Sequence, residues 1–381
     1  LDKFHRSRKI YKHLVGTSSK DDQLIFEEKD ETFSVGISLT SDEKFFVIST
    51  SDSETVEEYF FPVGQKIVKP KLFRSRKKGI KYSVDSWKNH WYIHTNENAL
   101  DYQILRCNHS DINNTTVFIS PKDETIIGSL EFLDEYIIRS EKSDAIPKIF
   151  IRNISSNFEE ELIISDEPVG SPGASLMQKD TNTFKIWISW DSLATQGKIY
   201  EYNIKTKEKK LVKEIEIPSG HNPDNYRVER LKAISHDGRK IPITLIRKKG
   251  SILDGKSKLL LYAYGCYKHS VPVGFGASRF CLIDRDITFA IAHVRGGGEL
   301  GEKFYEEGKM MKKKNTFKDY IACADYLIKK KYTYKGGLAF LGGSAGGTTG
   351  GAVINMAPEL FFAALLLVPY VDCLTTSLND K

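Results

Sequence analysis

The segment Gly342-Gly343-Ser344-Ala345-Gly346-Gly347 sets a serine hydroxyl among residues too small to crowd it. Such a hydroxyl is a poor nucleophile until a base removes its proton and fixed donors stabilise the oxyanion that forms. A tight strand-to-helix turn helps. It lifts the hydroxyl off the sheet and aims the first N–H groups of the helix at the reacting carbonyl. Gly342, Gly346 and Gly347 suit that turn, because Cβ atoms there collide with the strand or the helix start. The bare pattern Gly-x-Ser-x-Gly is weak, since flexible glycine-rich turns after strands are common. Its meaning depends on the elements beside it. Residues 337–341 are a short apolar run of strand length, residues 345–356 can form a helix, and residues 363–368 read as the next buried strand.

Stepping upstream, the same alternation begins after Ile217-Pro218-Ser219-Gly220-His221-Asn222-Pro223, which reads as a linker. Residues 228–234 and 241–247 flank His236-Asp237-Gly238-Arg239, a hairpin with an Asp-Gly turn. Residues 258–264 and 287–294 are of buried-strand length. Thr316, with Asp319 three residues later, predicts a capping box. The helix it opens carries Phe317, Tyr320, Ile321, Ala324, Leu327 and Ile328 on one face. Strands alternating with helices predict a mostly parallel sheet with helical crossovers.

Before the linker the period is different. Strand-like runs at 45–50, 91–95, 136–140 and 184–190 begin 46, 45 and 48 residues apart. Each is followed, after a polar turn, by a second run at 57–63, 102–107, 148–154 or 198–204. Strand pairs repeating every 40 to 50 residues predict propeller blades, because one such sheet cannot cover its own apolar faces. An ordinary antiparallel β domain is the alternative.

Composition narrows the functions. With 381 residues, 40% of them apolar, the chain can bury a sizeable core in two or more domains. The net charge of +6 is spread among interleaved acids and bases. The basic runs 74–78, 309–314 and 329–331 lack aromatic platforms, so they read as solvated faces and no nucleic-acid partner is expected. The five cysteines are widely separated and form no metal-binding spacing. Free thiols in a reducing, cytoplasmic compartment are expected, with no metal or cofactor. The longest apolar stretch, 361–371, contains Pro369 and is too short to cross a membrane. The chain begins inside a charged stretch without Met or an apolar signal region, so no targeting segment and an incomplete gene product are expected. Arg295-Gly296-Gly297-Gly298-Glu299-Leu300-Gly301 has neither dinucleotide-fold nor P-loop spacing, and nucleotide binding is not expected.

Several segments occur together in one order. They are Leu259-Leu260-Leu261-Tyr262-Ala263-Tyr264-Gly265, Ala292-His293-Val294-Arg295-Gly296-Gly297-Gly298-Glu299-Leu300-Gly301, the serine turn, Asn355-Met356-Ala357-Pro358-Glu359-Leu360-Phe361 and Val368-Pro369-Tyr370-Val371-Asp372. In the first half, His13-Leu14-Val15-Gly16-Thr17 and Glu27-Glu28-Lys29-Asp30-Glu31-Thr32-Phe33 join them. In these the chain resembles the oligopeptidase B branch of the prolyl oligopeptidase family. The resemblance implies a seven-bladed propeller capping an α/β-hydrolase domain, and cleavage of short peptides after Arg or Lys. It assigns Ser344 as nucleophile, with the Ala345 backbone N–H and the Tyr264 hydroxyl as oxyanion donors. Read from its residues alone, Tyr264 is a strand-end aromatic packed against the propeller.

The chain also departs from the pattern. A hydrolase triad runs Ser, Asp or Glu, then His, yet no histidine follows Ser344 and the last is His293. His293 reads as a core or loop-fixing residue, and Asp372 as part of a structural motif. Where the resemblance expects an acidic pair, Val271-Pro272-Val273-Gly274 stands. Thr348-Thr349-Gly350 replaces bulky apolar residues, a change expected to weaken the helix, Gly by about 1 kcal/mol. The expected architecture is mixed: a partial β-propeller of about four blades over residues 1–217, then the N-terminal part of an α/β-hydrolase domain with a mostly parallel sheet over 218–381. The chain thus reads as a central segment, roughly half the family's length, of a serine oligopeptidase acting on short peptides. A non-catalytic remnant or interaction module, and an α/β-hydrolase esterase, are the alternatives.

Overall fold

The structure is a computed structural model and describes residues 6–177, 181 and 183–378. The expected termini at Leu1 and Lys381 lie outside the described residues. The chain divides into two compact units, Leu1–Asp123 with Ile127–Phe132, and Glu124–Ile126 with Leu133–Lys381.

In the first unit β1 (Lys9–Lys12) and β2 (Gln23–Glu27) form a ribbon. Two four-stranded antiparallel meanders follow. The first comprises β3 (Ser34–Leu39), β4 (Phe45–Ser51), β5 (Val56–Pro62) and β6 (Lys71–Arg74). The second comprises β7 (Tyr82–Trp87), β8 (His90–Thr95), β9 (Gln103–Asn108) and β10 (Asp111–Ile119). Their shared core centres on the fully buried Trp91, with Phe45, Phe60 and Phe73 packed around it at ring separations of 4.8, 5.0 and 5.3 Å. Edge-on and tilted contacts of this kind add to the burial of the rings themselves. The division between the units falls within β11 (Thr125–Phe132).

In the second unit β12 (Tyr136–Ser143), β13 (Ile146–Asn153) and β14 (Glu159–Glu161) run as an antiparallel meander. Another antiparallel meander follows: β15 (Ser171–Leu176), β16 (Lys185–Asp191), β17 (Lys198–Asn203) and β18 (Lys209–Glu214). The strand pairs expected from the 45-residue period are antiparallel neighbours in every case: β4/β5, β8/β9, β12/β13 and β16/β17.

A six-stranded sheet completes the second unit. It contains β19 (Tyr226–Ile234), β20 (Lys240–Lys248), β21 (Leu259–Tyr262), β22 (Thr288–Ala292), β23 (Leu338–Gly343) and β24 (Phe361–Leu367), in the order β19-β20-β22-β21-β23-β24. The hairpin β19/β20 is antiparallel and bears the Asp-Gly turn, whereas β22, β21, β23 and β24 run parallel. Alternate residues of a strand face opposite sides. Leu259 and Leu261 therefore join the core under helices α3 (Lys314–Lys329) and α4 (Ala345–Met356), while Leu260 joins the core containing Val169, Leu193 and the short α1 (Phe280–Ile283). Among the described residues the other α-helices are the short α2 (Glu302–Glu306) and α5 (Cys373–Ser377).

The start of α3 corrects the expected capping box. The N-cap is Lys313, and Thr316 and Asp319 lie inside the helix, fully buried. Their side chains turn inward: the Thr316 hydroxyl donates to the Arg295 carbonyl at 2.7 Å, and Asp319 accepts the Arg295 guanidinium. A buried Thr and Asp three residues apart imitate a cap in sequence, although their partners lie across the fold.

Candidate active site

Ser344 occupies the single residue between the end of β23 and the start of α4. Its backbone lies at φ 51°, ψ −123°, a region L-residues rarely occupy and which costs on the order of 1–3 kcal/mol. Hydrogen bonds hold it there: Ser344 N–H donates to Leu367 O, while its carbonyl accepts the amides of Tyr370 and Gly347, each at 2.9 Å. Gly342 meets the neighbours the sequence implies, since a Cβ there would lie 2.8 Å from the Phe340 ring of β23 and 3.0 Å from the Gly346 carbonyl in α4; Gly346 and Gly347 meet others. A Cβ at Gly346 would lie 3.1 Å from the Ala263 carbonyl, and one at Gly347 would lie 2.5 Å from the Pro369 side chain. The loops leaving β21 and β24 thus press onto the turn from both sides.

The parallel register explains which residues meet. Tyr262 pairs with Leu341, so the two chains leave the same end of the sheet, Tyr264 from one and Ser344 from the other. Ser344 is exposed, and the half-buried Tyr264 packs on its turn, where a Cβ at Gly346 would lie 3.0 Å from the Tyr264 ring. Burial raises the Tyr264 phenol above its ordinary pKa, aided by neighbouring Cys266 and Tyr267, so the group is a proton donor at neutral pH. Ala345, buried, is the first helical residue of α4. Amides in the first turn have no partner within their own helix. The three residues singled out in the sequence therefore lie at one end of the sheet, a hydroxyl, a phenol and a helix N-terminal amide around a single turn.

Other candidates are occupied elsewhere. His293 is fully buried, with Nε2 2.9 Å from the Thr244 hydroxyl and Nδ1 3.5 Å from Glu299 Oε1. Asp372 caps α5, accepting the Thr375 amide at 3.1 Å. Val271 and Val273, which stand where an acidic pair was expected, pack into the core beneath β21. Gly296, at φ +90°, approaches the Gly265 carbonyl so closely that a Cβ would lie 2.1 Å from it; the glycine-rich run there serves backbone packing. No cluster of three or more His, Cys, Asp or Glu suited to a metal occurs among the described residues.

Two hydroxyls beside the site were missed. Thr348 Oγ1 donates to the Tyr370 carbonyl, and Thr349 Oγ1 donates to the Tyr264 carbonyl at 2.9 Å. The sequence signal was present, as polar residues where the helix should be apolar, but it read only as a loss of helix stability.

Four-stranded meanders followed by a strand–serine–helix turn on a mostly parallel sheet define a β-propeller joined to an α/β-hydrolase region. Residues 2–215 match the prolyl oligopeptidase N-terminal β-propeller domain, and residues 274–381 match the prolyl oligopeptidase family. The chain belongs to the prolyl oligopeptidase family. It is 34% identical over 377 residues to a dipeptidyl aminopeptidase BI of Pseudoxanthomonas mexicana, covering 98% of this chain and 52% of that protein. It is 33% identical over 381 residues to Protease 2 of Moraxella lacunata, covering 100% of this chain and 55% of that one. Among solved structures, oligopeptidase B from Trypanosoma brucei with covalently bound antipain, in a closed form, superposes with a TM-score of 0.89 at 31% identity, covering 97% of this chain and 54% of that one. The chain spans about half the length of the curated relatives it matches.

Proposed function

We propose that the chain carries the nucleophile and oxyanion site of a serine peptidase acting on short peptides through an acyl-enzyme on Ser344. The observation that carries this reading is the strained, exposed Ser344 at the N-terminus of α4, with the Tyr264 ring packed on the same turn. In acylation the Ser344 oxygen bonds to the scissile carbonyl carbon. The oxyanion takes hydrogen bonds from Ala345 N–H and the Tyr264 hydroxyl, and the serine proton passes through a base to the leaving amine. His293, committed to Thr244 and Glu299, does not serve as that base. Cleavage after Arg or Lys is supported by the resemblance to oligopeptidase B alone. We place the domain boundary at 217/218, in the Pro- and Gly-rich stretch between β18 and β19. A cytoplasmic site is supported by five free cysteines; no helix among the described residues is long and apolar enough to cross a membrane.

The test is hydrolysis of Arg- and Lys-ended peptide esters and amides, beside simple acyl esters, by the natural full-length gene product. Peptide hydrolysis abolished by Ser344→Ala is the expected result. Activity on acyl esters alone identifies an esterase. No activity, with no fluorophosphonate labelling of Ser344, identifies a non-catalytic interaction module.

A further inference from the structure

The helix that follows the nucleophile is unusual in its second turn. Position 349 lies on the buried face of α4, where a hydrocarbon side chain packs at least cost, yet it is a threonine with no exposed surface. A buried hydroxyl must find a partner or forfeit its hydration. The partner of Thr349 is the main-chain carbonyl of Tyr264, at 2.9 Å.

That carbonyl sits at a critical place in the chain. Tyr264 lies two residues past the end of β21, beyond the ladder that fixes Tyr262 against Leu341. Immediately after it, Gly265 turns through φ +72° and gives its own carbonyl to the Lys313 ammonium. Between those points the peptide plane of residue 264 is held by the Thr349 hydroxyl and by close packing on Gly346, where a Cβ would lie 3.0 Å from the Tyr264 ring. A rotation of that plane moves the Cα–Cβ bond of Tyr264, and with it the ring that packs on Gly346 in the Ser344 turn.

We propose that Thr349 is a positioning residue for the oxyanion site, its hydroxyl fixing the Tyr264 backbone and so the place of the Tyr264 phenol beside Ser344. The catalytic part of this inference rests on the reading of Tyr264 as an oxyanion donor. Thr349 and Ser344 belong to one helix–turn unit, so the helix carrying the nucleophile also sets the position of the donor facing it. Thr348 does the equivalent for the other side, holding the Tyr370 carbonyl while the Tyr370 amide holds Ser344 O.

The test compares Thr349→Val, which keeps volume and removes the hydroxyl, with Thr349→Ser, which keeps the hydroxyl, and Tyr264→Phe, in the natural full-length gene product. One readout is the ¹³Cζ chemical shift of Tyr264, which follows the hydrogen bonding of its hydroxyl whether or not the protein turns over. The other is turnover of a peptide ester. Thr349→Val is expected to move the Tyr264 resonance and lower kcat about 10- to 100-fold with KM unchanged, the mark of an interaction made in the transition state. Thr349→Ser should leave both at wild-type values, and adding Thr349→Val to Tyr264→Phe should cost nothing further. Should the valine protein fail to fold, Thr349→Ala read against the serine variant carries the same comparison. A Tyr264 resonance and kcat unmoved by Thr349→Val, while Tyr264→Phe is slow, overturn the inference and leave the oxyanion reading standing. Additive losses in the double variant also overturn it. A Tyr264→Phe protein with wild-type kcat overturns the oxyanion reading and, with it, the catalytic role of Thr349; the resonance then tests the positioning separately.

Discussion

Arg295 lies along Asp319, donating Nε to Oδ2 at 2.8 Å and Nη2 to Oδ1 at 2.6 Å, with both side chains sealed from solvent. The Arg295 amide adds a third bond to the same carboxylate at 3.0 Å. This pair ties α3 to the loop after β22, while Asp237 in the β19/β20 turn takes the other side of the guanidinium at 2.6 Å. Removing Asp319 alone leaves the buried Arg295 with only Asp237 and the more distant Glu307 as counter-charges, whereas removing both takes the buried pair out together. Asp319→Leu should therefore cost about 3–5 kcal/mol in urea denaturation. Arg295→Met combined with Asp319→Leu should recover most of that loss, and equal losses in the single and double variants would refute the charge argument.

The same pair marks the limit of what the sequence shows. The strand pairs were legible because β4, β8, β12 and β16 carry Val, Ile, Phe and Trp runs that bury one face. The last strand of each meander was not. Lys209–Glu214 and Glu159–Glu161 bury no residue, so nothing in their pattern separates them from a polar turn. Ser344 was legible because its turn is local. The placing of Tyr264 at the Ser344 turn was accessible only through the family resemblance, since it follows from the parallel register of β21 and β23 across 80 residues. Thr316 with Asp319, and Thr348 with Thr349, were misjudged for one reason: their hydrogen bonds go to Arg295, Tyr370 and Tyr264, carried by other segments of the fold.

Glu58 in β5 is 4% exposed and accepts the Val84 amide at 2.8 Å. Burial pushes its carboxyl up to about 8 from 4.5, with the Asp85 charge adding to the rise. The folded form then holds a proton that the unfolded form releases. Its contribution to stability is therefore fullest below pH 4.5 and declines as pH rises towards 8. Thermal melting of the first unit should fall across this window. Glu58→Gln, which keeps the shape without the charge, should melt higher at pH 8 and show a flatter curve; a wild-type melting point constant from pH 5 to 8 counts against a protonated Glu58.

His293 works in the opposite sense in the second unit. Burial lowers its pKa from 6.5, with the Glu299 carboxylate opposing the shift and Arg230 and Lys142 reinforcing it. The folded protein keeps the imidazole neutral while the unfolded chain takes up a proton below pH 6.5. Its contribution is thus present above that pH and is lost as pH falls below it. Melting of the second unit should drop on acidification from pH 6.5, and His293→Asn should remove that part of the slope while lowering stability at pH 8. A wild-type curve without an acid limb in that window would show the imidazole protonated in the fold.

Gly350 and Gly351 are adjacent in α4, and helix propensity alone predicts that alanine at either gains about 1 kcal/mol. Packing separates them. A Cβ at Gly350 would lie 2.4 Å from Phe340 Cε1 and 2.6 Å from Leu366 Cδ2, both in the sheet beneath. At Gly351 the nearest atom is Val371 Cγ1 at 3.4 Å, an ordinary contact. Gly350→Ala should therefore destabilise by about 1–3 kcal/mol through overpacking, reversing the sign that propensity gives. Gly351→Ala should stabilise by about 0.5–1 kcal/mol, a rise of a few degrees in melting temperature. Equal gains at both positions would mean that α4 stands off the sheet far enough to admit a methyl group. The close seating that brings Thr349 to the Tyr264 carbonyl would then fail with it.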